Sequence, residues 1–181
     1  MLVHQTVSLV PHPDHPPRGV QSIDVRWLET RKGVFVLRWV IKGVEALAVP
    51  AFAGKGRGDD LWQTTCGELF LKDRDGPGYR EFNFSPSERW AAYHFENYRD
   101  GRTDADVPPP EVTSEGGQFL FVLTALLDPA LLEGSDRAGI SAVIEEKDGT
   151  KSFWAIAHAP GAPDFHNPAC FALPLAAPAD A

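Results

Sequence analysis

Glu68, Glu81 and Asn83 have the most to offer chemically in this chain: two carboxylates and an amide spaced so that extended backbone would gather them on one side. In Cys66 to Leu71, the period of two that a strand imposes puts Leu69 and Leu71 on one face and Cys66, Glu68 and Phe70 on the other. In Tyr79 to Ser85 the same period separates Phe82 and Phe84 from Tyr79, Glu81, Asn83 and Ser85. A third segment, Trp90 to Asn97, follows a turn at Pro86 to Glu88 and sets Trp90, Ala92 and His94 against Ala91, Tyr93 and Phe95. Its pattern leaves open which of these sides joins the polar face. If the three strands are neighbours, the carboxylates and the amide form a cluster framed by Tyr79 and Trp90.

Such a cluster suits a sugar or another polyol. Sugar hydroxyls need paired donors and acceptors, which carboxylates and amides supply, while the apolar C–H faces of the ring lie well on Trp and Tyr. The competing reading makes Trp62 and Trp90 core residues and leaves Glu68 and Glu81 on a solvated sheet face. Catalytic signatures are weaker. The pair Glu68 and Glu81 would serve glycoside acid/base chemistry only if their carboxyl groups stood about 5 to 9.5 Å apart, which spacing in sequence does not reveal. Neither Ser85 nor Ser87 sits in a Gly-x-Ser-x-Gly elbow. Gly54, Gly56 and Gly58 lack the Lys-Ser/Thr of a phosphate loop. His158, Asp164 and His166 have no helical ligand spacing, so loop hydrogen bonding is their expected role and no metal is assigned. The expectation is a site without catalysis and without a cofactor.

The elements that would position this cluster are short strands punctuated by Pro and Gly. Ser22 to Thr30 and Gly33 to Lys42 read as a hairpin turning at Arg31, Lys32 and Gly33, with Phe35, Leu37, Trp39 and Ile41 on a core face. Glu45 to Val49 reads as a short strand closed by Pro50, and Ala53 to Asp60 as a loop. Gln118 to Ala125 places Phe119, Phe121 and Leu123 on one side, after an extended connection at Val107 to Pro110. Gly139 to Glu145 and Ser152 to Ala157 pair as a hairpin at Asp148 and Gly149, and Cys170 to Leu175 is the last strand. The one helix signal is Asp128 before Pro129, stopped at Gly134. This pattern predicts an all-β fold, an antiparallel two-sheet sandwich with a minor short helix. Residues 1–181 form one domain, with 1–20 and 176–181 peripheral.

The 181 residues, 43% apolar and 23% charged, fit an ordinary globular domain. A formal net charge of -8 without a Lys/Arg cluster weighs against nucleic acid and anionic membrane surfaces as partners. Met1 to Val10 lacks the basic start and apolar core of an export signal, and no run of about 18 apolar residues occurs. The expected location is therefore the cytoplasm, with Cys66 and Cys170 as buried thiols.

The motifs Leu61-Trp62-Gln63-Thr64-Thr65-Cys66-Gly67-Glu68-Leu69-Phe70-Leu71, Tyr79-Arg80-Glu81-Phe82-Asn83-Phe84-Ser85-Pro86 and Trp90-Ala91-Ala92-Tyr93 resemble bacterial DOMON-like proteins, relatives of the family 9 carbohydrate-binding modules. Pro163-Asp164-Phe165-His166 and Cys170-Phe171 fit the same pattern. The resemblance implies an immunoglobulin-like β-sandwich that binds a sugar-like small molecule, with Trp62, Glu68, Arg80, Glu81, Asn83 and Trp90 as the matching ligand-binding positions. In other branches it implies haem. The sole methionine here is Met1, so a haem site would rest on His94, His158 or His166. An interaction module without a small ligand is the remaining alternative.

Overall fold

The computed structural model describes residues 4–29 and 33–175. Its strands are β1 (His4–Pro11), β2 (Ser22–Glu29), β3 (Phe35–Lys42), β4 (Gly56–Arg57), β5 (Cys66–Asp73), β6 (Tyr79–Phe84), β7 (Arg89–Phe95), β8 (Thr103–Asp104), β9 (Glu111–Gly116), β10 (Leu120–Leu127), β11 (Ser135–Glu145), β12 (Lys151–Ala155) and β13 (Leu173–Pro174). Helix is confined, among the described residues, to 3-10 turns at Leu61–Gln63, Pro129–Leu132 and Pro168–Cys170. None of these is long and apolar enough to cross a membrane.

Hydrogen bonding links the strands into one curled mixed sheet in the order β4-β7-β6-β5-β11-β12-β1-β2-β3-β10-β9, with β8 on β7 and β13 on β11. The pairs are antiparallel except β4 with β7. Where two separate sheets were expected, β1 joins the halves: its residues up to Leu9 pair with β2, while Val10 and Pro11 pair with β12. β1, within the segment 1–20 expected at the periphery, is thus paired on both sides. Strand twist, accumulated over so many strands, curls such a sheet around its own apolar face.

That face is the main core. It takes Phe35, Leu37, Trp39 and Ile41 from β3, Ile23, Val25 and Trp27 from β2, and Phe121, Leu123, Ala125 and Leu127 from β10. Leu69, Leu71, Phe82, Phe84, Trp90 and Trp154 meet them from the other half. Each large side chain so buried contributes about 1.5–3 kcal/mol. Trp39, fully buried, spans the core and donates its indole N–H to the Ser141 carbonyl oxygen on β11 at 3.0 Å. Gly67 makes room for that ring.

The β2–β3 and β11–β12 hairpins form as expected, although Thr30, Arg31 and Lys32 lie outside the described residues. Four local expectations are corrected. Gly43 turns the chain so that Glu45 to Val49 forms only an isolated bridge from Leu47 to Glu146, not a strand. Phe119 is 74% exposed because the turn from β9 ends at Leu120, where the Gly117 N–H bonds the Leu120 carbonyl oxygen. At the C-terminal end, Pro168 and an Asn167 cap on the Ala169 N–H build a turn over Cys170, leaving only Leu173–Pro174 as strand. The turn after Asp128 is a 3-10 turn, with the Asp128 carboxylate accepting from the Ala130 N–H at 2.9 Å.

A Cβ at Gly67 would stand 2.8 Å from Trp39 Cε2 and 3.1 Å from Leu123 Cδ2, both packed on all sides. Gly67→Ala should therefore lower stability by about 1–3 kcal/mol, the usual cost of overpacking, as read by chemical denaturation.

Candidate functional site

The opposite face of β5, β6, β7, β11 and β12 is also covered. A second apolar cluster of Phe70, Tyr79, Tyr93, Phe95, Val143, Phe165 and Phe171 lies there. Phe165 and Phe171 come from the chain after β12, which folds back across the sheet. Gly139 lets it approach: a Cβ there would meet Phe171 Cδ1 at 2.9 Å and the Cys170 carbonyl oxygen at 3.0 Å. Asp164 pins this segment to the turn after β7, accepting from Arg99 at 2.7 Å and from the Tyr98 hydroxyl at 2.6 Å. The Cys170 thiol donates to the Asp164 carbonyl oxygen at 3.3 Å. Cys66 and Cys170 are both buried and unpaired.

Between this segment and the sheet lies a cavity of about 440 Å3. Glu68 and Glu81 rise from its floor, and Phe70, Tyr93, Phe95, Phe153 and Phe165 supply aromatic wall. Trp62, 49% exposed, stands at its mouth with Arg99 and Arg102. The Arg102 guanidinium lies 4.9 Å from the centre of the Tyr93 ring, a cation–π distance. Tyr93 donates its hydroxyl to Asp59 at 2.8 Å, and burial, reinforced by that carboxylate, pushes the phenol up.

The polar groups of the floor form a connected set. Ser141 donates to Glu68 Oε2 at 2.9 Å, and Asn83 donates to Glu81 Oε1 at 2.9 Å. The Tyr79 hydroxyl accepts from the Arg99 N–H at 3.1 Å and meets His166 Nδ1 at 2.8 Å. On its other side, His166 Nε2 lies 3.6 Å from Glu81 Oε2. Burial, with Arg99 adding to it, pulls the imidazole down to about 4. Burial and the nearby Glu81 push the Glu68 carboxyl up to about 8 against the Ser141 hydrogen bond. Burial raises Glu81 as well, opposed by the Asn83 hydrogen bond and the charges of Arg99 and Arg102. Both carboxyls are therefore harder to ionise than free ones.

Of the positions singled out from sequence, Trp62, Glu68 and Glu81 line the cavity, and Asn83 orients Glu81 from beneath. Trp90 does not join them. It is buried in the main core under the Arg57 guanidinium, because Ala91, Tyr93 and Phe95 are the residues of β7 that face the site. Arg80 also falls on the core side, between Tyr79 and Glu81, and reaches out to donate to Ser135 at 3.0 Å. The three histidines weighed for haem face different surroundings. His94 sits 3.6 Å from Asp73, His158 bonds the Val10 carbonyl oxygen, and only His166 borders the cavity. Arg99, Arg102 and Phe165 were not singled out as ligand-binding positions, although Phe165 belongs to the Pro163 to His166 motif.

A carboxyl raised in the folded state favours folding fully below its unfolded value of 4.5, and that contribution is lost as pH rises through about 8. Glu68→Gln cannot ionise, so its melting temperature relative to the unsubstituted chain should climb steadily from acidic to alkaline buffer. A difference independent of pH would mean that Glu68 titrates normally.

No family model matches the chain, and no curated protein matches it. Among solved structures, it is similar to a protein from Bacteroides uniformis ATCC 8492 described as a "putative carbohydrate-binding protein". The two share 18% identity over 94% of this chain and 84% of the other, with a TM-score of 0.62, so the likeness is one of fold.

Proposed function

We propose that the cavity over β5, β6 and β7 binds a carbohydrate or a sugar-like small molecule without turning it over. The observation that carries this reading is the combination of a half-exposed Trp62 indole at the mouth with two buried carboxyl groups on the floor of one cavity. At about 440 Å3 the space lies within the range of small-molecule sites and is of the order of one or two sugar rings. Trp62 offers a flat surface for the C–H face of a ring, while Glu68, Glu81, Arg99 and Arg102 offer acceptors and donors for its hydroxyls. Support also comes from the fold shared with the Bacteroides uniformis protein, described in terms of carbohydrate binding. The reading places the chain with the DOMON-like β-sandwiches and family 9 carbohydrate-binding modules that its motifs resemble.

Thermal shift against mono- and oligosaccharides is the first test, since a ligand that binds only the folded state raises its melting temperature. With a hit in hand, Trp62→Ala should weaken binding about tenfold, from loss of ring stacking, while leaving the melting temperature nearly unchanged. Trp90→Ala should do the reverse, costing about 3–5 kcal/mol of stability as a core truncation. Sugar affinity unaffected by loss of Trp62 would remove the indole from the site.

A further inference from the structure

We propose that Glu68 meets the ligand as an uncharged carboxylic acid donating a hydrogen bond, beside a Glu81 carboxylate that accepts one, so that the cavity selects a neutral vicinal diol over an acidic sugar. The proposal rests on the carbohydrate reading and adds to it the charge of the ligand and the direction of two hydrogen bonds.

The geometry comes from the register of β5 and β6. Glu68 pairs with Asn83, and Glu81 stands two residues from Asn83 on the same strand face, a diagonal step from Glu68. Diagonal positions lie about 7–8 Å apart along the backbone, within reach of glutamate side chains. Glu68 is 3% and Glu81 6% exposed. No Lys or Arg of the described residues lies within ion-pair distance of either; the nearest basic atom is His166 Nε2, 3.6 Å from Glu81. Burial opposes ionisation of both, and the neighbouring Glu81 opposes that of Glu68 further.

The charged and titratable groups around the pair leave this conclusion standing. On β5, Cys66 is a thiol kept protonated by burial and by the same two carboxyls. On β6, Tyr79 is occupied by Arg99 and His166, and on β7, Tyr93 by Asp59. β11 and β12 contribute only Ser141, Val143 and Phe153. In the two covering segments Arg99 is matched by Asp164 at 2.7 Å, His166 is neutral, and Arg102 stacks on Tyr93 without a carboxylate partner. Arg102 offsets part of the negative charge that Glu81 and Asp59 bring to this side of the sheet.

Glu68 Oε2 holds the Ser141 hydrogen bond, and the side chain lines the cavity, where Oε1 can meet a ligand. Two adjacent hydroxyls match: the oxygen of one accepts from the acid, and the O–H of the other donates to Glu81. A sugar carboxylate has only acceptors and would bring a second negative charge to Glu81.

The test has a ligand-free arm and a binding arm. Glutamate labelled with 13C at the side-chain carboxyl should show one resonance that titrates near 8 and is absent in Glu68→Gln. In Ser141→Ala its midpoint should move higher, because a hydrogen bond to the ionised form is lost. Calorimetry with glucose and galactose, each against its uronate, should favour the neutral sugar. From about pH 6 to about pH 9.5, affinity for the neutral sugar should fall about tenfold in the unsubstituted chain, whereas Glu68→Gln, whose amide does not titrate, should show whatever affinity it has without a change over that range. Titration of every glutamate in the ordinary carboxylate range, a flat pH profile, or tighter binding of the uronates would overturn the proposal while leaving the carbohydrate reading intact. Failure of every sugar to bind at either pH would bring down that reading and the proposal with it.

Discussion

Burial on both faces is the constraint that shapes the functional half of this molecule. From Cys66 to Leu71 every residue of β5 is buried, and β6 and β7 are covered almost as fully. One face meets the main core through Leu69, Leu71, Phe82 and Phe84, and the other meets the chain that returns after β12. A polar group on that second face has no bulk water to fall back on, so each must find a protein partner or wait for a ligand. Most find one. Glu68 and Glu81 find theirs at the border of the cavity, which is why it reads as a binding site rather than a packing defect.

The cover depends on a few specific contacts. Asp164 fastens the returning segment to Tyr98 and Arg99, and Gly139 allows Phe171 to settle against Phe70, with ring centres 5.7 Å apart. Arg99, in a left-handed backbone conformation with φ of 52°, delivers its N–H to Tyr79, whose phenol in turn hydrogen-bonds His166 Nδ1. A turn at one end of the sheet is thereby tied to a ring at the cavity wall. The low dielectric behind this cover also raises both carboxyls, Glu68 the further because Glu81 stands nearby.

Much of this was legible in sequence wherever period two and burial agree. The alternation in β5 and β6 assigns Leu69, Leu71, Phe82 and Phe84 to one side and Glu68, Glu81 and Asn83 to the other, and the structure keeps that division. It does not say which side of β7 belongs with the carboxylates, because Trp90 and Tyr93 are equally plausible sugar platforms by chemistry alone. Arg80 was carried into the site by its place in a motif, although its position between Tyr79 and Glu81 obliges it to point the other way. Arg99, Arg102 and the residues of the returning segment depend on contacts distant in sequence, which local pattern does not encode. The union of the two halves into one curled sheet turns on β1 changing partners at Val10, likewise a long-range event.

The occupied surface can be located directly by two-dimensional 1H–15N correlation spectra recorded while neutral mono- and oligosaccharides are titrated into the labelled protein. A ligand in this cavity shifts the Trp62 indole resonance together with the amides of Arg99, Arg102 and His166, and leaves the indoles of Trp39 and Trp90 in place. Shifts gathered instead around the separate concavity bounded by Lys42, Ala46, Gln118 and Phe119 would contradict the assignment of the site to the carboxylate face.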